Sequence, residues 1–116
     1  MGIKVVPSGE EKLDRRELLQ RVKEAVLEIE PGAEIILFGS RARGDDTPES
    51  DWDFLILVDG PVNTERQRTV RHRLYEIEWD SGEVISSIVR GREVWESPLH
   101  RAMPFHENIS RDGVSL

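Results

Sequence analysis

Two short strings separated by a polar loop constrain this chain more than anything else in it. They are Phe38-Gly39-Ser40-Arg41-Ala42-Arg43-Gly44 and Ser50-Asp51-Trp52-Asp53-Phe54-Leu55-Ile56-Leu57-Val58. The run Glu34-Ile35-Ile36-Leu37-Phe38 is apolar and β-prone, and Gly39-Ser40 stops it abruptly, as a buried strand entering a tight turn does. Without a Cβ, the backbone at Gly39 can approach a ligand closely. If a helix starts after the turn, its unpaired N–H groups and the Ser40 hydroxyl form a cradle for phosphate. Arg41 and Arg43 add positive charge nearby, Arg41 being the better placed because it lies closer to the turn.

The second string opens with two carboxylates spaced by one residue. On a strand, residues two apart share a face, so Asp51 and Asp53 stand side by side. Two such charges at the start of a core strand are costly unless a cation lies between them, and a hard divalent ion such as Mg²⁺ with oxygen ligands is the usual answer. Beyond Asp53 both alternating sets, Leu55/Leu57 and Trp52/Phe54/Ile56/Val58, are apolar. This is the pattern of a central strand with its acids at one end.

Gly39-Ser40, a spacer and Asp51-x-Asp53 together resemble the signature of the DNA polymerase beta-like nucleotidyltransferase superfamily. The fuller string from Gly39 to Asp53 is similar to its small prokaryotic members, the minimal nucleotidyltransferases. The close match covers about residues 34 to 58, and the order of elements extends a looser one to about residue 90. The resemblance implies an α+β fold: a small mixed sheet with helices packed on it, in which the two strands are antiparallel neighbours sharing the active-site end. It also implies ATP or another nucleoside triphosphate as substrate, held by Gly39, Ser40, Arg41 and Arg43, and Mg²⁺ on Asp51 and Asp53.

At 116 residues the chain reads as one domain with a modest core. Its net charge of −7 disfavours nucleic acid as the main partner, which would call for a basic footprint. Cysteine is absent, so neither disulfides nor thiolate metal sites are available. No apolar run approaches the ~20 residues that span a bilayer, and the N-terminus has no signal-peptide pattern, so a cytoplasmic protein is expected.

Residues 1–12 read as an N-terminal arm, with Ile3, Val5 and Val6 as a candidate edge strand. The nucleotidyltransferase domain is expected over 13–92 and a C-terminal extension over 93–116. Asp14 and Glu17 have the form of a capping box, followed by Leu18, Val22, Ala25, Val26 and Ile29 at helical spacing up to Pro31-Gly32. Asn63 or Thr64 caps a second helix running to about Trp79, with Val70, Leu74 and Ile77 as its apolar stripe. Its arginines read as a solvated face. Residues 83–89 read as a third strand. The tail offers a short helix near Glu93 to Trp95, and apolar residues that pack on the sheet or on another chain, so a homo-oligomer is open. His72, His100 and His106 lack metal-ligand spacing, and Trp52, Trp79 and Trp95 read as core.

The third strand departs from the family pattern. Full members carry a third carboxylate there, as metal ligand or base; the central positions here are Ser86 and Ser87, which have neither the charge nor the basicity. Glu83 is the nearest acid able to substitute and is the third candidate catalytic residue beside Asp51 and Asp53. Minimal nucleotidyltransferases resemble the antitoxin half of HEPN/MNT toxin–antitoxin pairs, which implies a HEPN-type toxin as protein partner and acceptor of AMP. Two alternatives stand beside this: a module that has lost transfer with its third carboxylate and only binds nucleotide or partner, and a transferase acting on a small molecule.

Overall fold

The computed structural model describes residues 14–116, so the candidate arm and its edge strand lie outside the described residues. Helix α1 (Arg15–Ile29) begins where Asp14 accepts a hydrogen bond from the Glu17 N–H at 2.8 Å. Strand β1 (Glu34–Phe38), the short helix α2 (Ser40–Arg43) and strand β2 (Trp52–Val58) follow. Helix α3 (Thr64–Ser81) is capped by Asn63, whose side chain accepts from the Arg66 N–H, and ends on Gly82 at φ 73°. Strand β3 (Ile85–Gly91) leads into α4 (Arg92–Trp95), α5 (Pro98–Arg101), α6 (Pro104–Asp112) and the edge strand β4 (Val114–Ser115).

The sheet is mixed, with order β3-β2-β1-β4. Strand β2 runs antiparallel to β1 and parallel to β3, and β4 is antiparallel to β1. The alternation along β2 feeds two cores. Trp52, Phe54, Ile56 and Val58 join Leu18, Val22 and Val26 of α1 and Val70, Leu74 and Ile77 of α3 on one face. Leu55 and Leu57 face the other way and pack with Trp95, Phe105 and Ile109 from the C-terminal helices. The α+β architecture with a mixed sheet expected from the resemblance is the one observed.

Three local readings differ from the structure. Strand β3 starts at Ile85, two residues late, because Gly82 caps α3 and the Glu83 N–H is taken by the Ser81 hydroxyl; pairing with β2 nevertheless begins earlier, through Trp52 N–H to the Val84 carbonyl. Trp79, expected in the core, is 77% exposed on α3. Residues 92–116 form three helices and a strand instead of one helix and an undefined piece. Ser97 and Met103 precede prolines that fill the first position of α5 and α6, where a missing N–H costs nothing.

One charged contact ties the framework together past the far end of β2. Arg66 donates to both carboxylate oxygens of Glu30 at 2.7 Å and to the carbonyls of Asp59 and Pro61, joining the end of α1 to the start of α3. Its grip, a charged two-point hydrogen bond, holds the Glu30 carboxyl below its ordinary range. Among the described residues no helix is long and apolar enough to cross a membrane.

Candidate active site

The antiparallel register of β1 and β2 sets Phe38 opposite Asp53, so the turn that follows β1 and the acids that open β2 lie at one end of the sheet. Gly39 takes φ 76° and ψ −160°, which brings its backbone against the Asp53 side chain. A Cβ at this position would lie 2.5 Å from the Asp53 Oδ2. The positive φ favours glycine here, and any Cβ would also turn the Asp53 carboxylate aside. The turn continues into α2, whose N–H groups at Ala42 and Arg43 both reach the Gly39 carbonyl. The N–H groups preceding them, at Ser40 and Arg41, are the helix-start donors that have no carbonyl within α2.

Asp53 projects from the same face as Leu55, the face covered farther along by α6, and Asp51 lies two residues before it. Burial and the Asp51 charge push the Asp53 carboxyl above its ordinary range, and Arg43 opposes the shift. Among the described residues no group of three or more acids or histidines could hold a metal ion. Asp51 and Asp53 fit a divalent ion as two oxygen ligands, which leaves its remaining positions to substrate phosphates and water.

The two arginines have different surroundings. Arg41 is buried at 9% exposure: it donates to Asp46 at 2.8 Å and to the Ser50 carbonyl at 2.9 Å, and lies 4.4 Å from the centre of the Trp52 ring. Its guanidinium is committed to folding the 44–50 loop. Arg43 is exposed, as expected, and donates to Asp45 at 3.3 Å; its charge also acts on Asp53. It lines a cleft with Phe38 and Gly39 on one side and Phe105, Asn108, Ile109 and Asp112 of α6 on the other. The α6 residues carried no motif, and only the seating of that helix on the sheet brings them to the turn.

Glu83, the candidate third acid, has Trp52 and Arg41 as neighbours. It is 6% exposed, accepts the Trp52 indole N–H at 3.1 Å, and lies 3.7 Å from Arg41. Trp52 and Asp53 are consecutive strand residues, so Glu83 sits with the side chains on the opposite face of the sheet. The parallel register instead sets Ser86 beside Asp53. Ser87 pairs with Phe54 and faces the α1/α3 core.

Comparison with known proteins agrees with this geometry. The nucleotidyltransferase domain family matches residues 19–104, from the middle of α1 into the start of α6. A protein of Methanocaldococcus jannaschii described as a "putative protein adenylyltransferase" is 37% identical over 82 residues, spanning 71% of this chain and 75% of that protein. A glycine turn packed on an acid pair, within a match covering most of the sheet, places the chain in the nucleotidyltransferase domain family, as a minimal nucleotidyltransferase.

Proposed function

We propose that this nucleotidyltransferase moves AMP from ATP to a hydroxyl group of a protein, with Mg²⁺ held by Asp51 and Asp53, and that it serves as the antitoxin of a HEPN/MNT-type pair. The observation that supports the metal–triphosphate part is the close approach of the Gly39 backbone to the Asp53 side chain, which brings the turn beside one acid of the pair. The name of the archaeal relative supports adenylyl transfer to protein.

Bound between the two aspartates, the divalent ion would neutralise charge developing on the phosphates and keep them aligned. The chain's own groups do the rest. The Ser40 hydroxyl and the first N–H groups of α2 hold phosphate oxygens, and Arg43 steadies the β- and γ-phosphates. Gly39 leaves space for Asp53 beside the chain. The acceptor oxygen forms its bond to the α-phosphorus as the bond from that phosphorus to the pyrophosphate oxygen breaks, and the hydroxyl proton is lost. Ser86, opposite Asp53, has no basicity to take that proton. In this reading the proton passes to a base of the protein partner or to solvent, and the partner completes the site.

A second reading, an inactive module that binds nucleotide or partner, is favoured by the same Ser86 position. One experiment separates the two. α-Labelled ATP with Mg²⁺ is supplied to an extract of the source cells with either the wild type or Asp51→Asn/Asp53→Asn. A labelled protein band that requires the aspartates is the expected result. Mg·ATP binding without label in any protein would overturn transfer and leave the binding module.

A further inference from the structure

The cleft between the Gly39 turn and α6 has two chemically different walls. On the turn side stands Arg43, whose positive charge suits anions. On the α6 side stand Asn108, in the middle of a nine-residue helix and accepting from Arg111 Nη2 at 3.3 Å, and Asp112, the last residue of that helix. The carboxyl end of a helix carries partial negative charge. That wall repels phosphate and suits hydroxyl and amine donors, and between the walls the apolar edges of Phe38 and Phe105, in T-shaped contact with centroids 5.4 Å apart, form the floor.

We propose that this cleft is the nucleoside half of the site: Asp112 accepts hydrogen bonds from the ribose hydroxyls, Asn108 pairs with the edge of a purine base, and Phe105 supports its face. The inference rests on the metal–triphosphate reading, since the phosphates fix which way the nucleoside points. Each assignment follows from the group's chemistry. A carboxylate has two oxygens with about four acceptor positions, and Arg111 occupies one on each, through Nε to Oδ1 and Nη2 to Oδ2 at 3.1 Å. Its remaining acceptors match a vicinal diol. An amide both donates and accepts in one plane, the pattern that adenine presents at its N6/N7 edge.

The wall is held in place from behind. A Cβ on Gly113 would lie 2.6 Å from the Ile109 carbonyl and 2.8 Å from Ile36 Cγ2, so only glycine lets the chain leave α6 so close to β1. From there β4 pairs with β1 through Val114 and Ser115. Arg43 lines the same cleft as Gly39 and Asp112, so one guanidinium stands beside both the turn and the α6 wall.

The test measures dissociation constants of the full chain for Mg·ATP, its 2′- and 3′-deoxy forms, Mg·UTP and Mg·tripolyphosphate, in the wild type, Asp112→Asn and Asn108→Ala. Expected for Asp112→Asn is an affinity for ATP weaker by about tenfold, a vanished preference for ATP over one deoxy form, and unchanged tripolyphosphate binding. Asn108→Ala, at an exposed position, should narrow the preference for ATP over UTP. Wild-type ratios in both variants would overturn the nucleoside assignment while leaving the triphosphate site standing. A wild type that binds neither ATP nor tripolyphosphate would refute the underlying reading and this inference with it.

Discussion

Replacing Gly39 by alanine separates the two reasons that a glycine is required there. The first is conformational: φ 76° with ψ −160° is a region used by glycine, and holding another residue in it costs about 1–3 kcal/mol. The second is contact, because the new methyl group would lie 2.5 Å from Oδ2 and 3.4 Å from Cγ of Asp53. Turning the end of this half-buried carboxylate aside costs about 1–2 kcal/mol. Together Gly39→Ala should remove about 2–5 kcal/mol of stability, a large part of the roughly 5–15 kcal/mol of an ordinary domain. Asp53→Ala deletes the colliding atoms, so in that background the same change should cost only its backbone part. The double-mutant cycle should therefore show a coupling of about 1–2 kcal/mol. Urea unfolding at neutral pH, followed by the fluorescence of buried Trp52 and Trp95, measures all four proteins. A coupling below about 0.5 kcal/mol would refute the contact between turn and acid. Wild-type stability in Gly39→Ala would refute the backbone argument as well.

Glu83→Gln should lower stability by about 1–2 kcal/mol, since it weakens a buried charged acceptor for Trp52 beside Arg41, and should leave the aspartate-dependent binding of Mg·ATP intact; loss of that binding at full stability would restore Glu83 to the site. Asp53→Asn should be as stable as the wild type or more so at neutral pH. The folded-state pKa of Asp53 is raised, so the wild type should close the gap as pH falls through that raised value toward the ordinary aspartate range; a gap in melting temperature that does not change with pH would contradict the shift. Glu30 behaves oppositely. Its pKa is lowered by Arg66, so it stabilises the fold above the ordinary glutamate range and that contribution disappears as pH falls through the lowered value, whereas Glu30→Gln should be less stable by about 1–2 kcal/mol at neutral pH and lose less on acidification.

The central part of this site was legible because it is local. A five-residue apolar strand, a glycine that ends it and two acids on alternate positions of the next strand leave few other arrangements, and Phe38 opposite Asp53 is the outcome. What could not be read required distance across the fold. Nearness to the turn favoured Arg41 over Arg43, but Asp46, Ser50 and Trp52 draw Arg41 into the loop that it closes. Glu83 was chosen by its closeness to the strand start, whereas the register assigns the place beside Asp53 to Ser86. The α6 wall was out of reach altogether, because Asn108 and Asp112 meet Arg43 only through the packing of Trp95, Phe105 and Ile109 on the far face of β2. Ser97-Pro98 and Pro104 did signal helix starts in the tail, and the short lengths that followed them hid the periodicity.

The most direct measurement is calorimetric titration of the full chain with ATP, with and without Mg²⁺, for the wild type and for Asp51→Asn/Asp53→Asn. Binding that requires both Mg²⁺ and the aspartates, in a double variant at least as stable as the wild type, is the expected result. Equal Mg·ATP affinity in the two proteins would contradict the joining of the Gly39–Ser40 turn and the acid pair into one metal–triphosphate site.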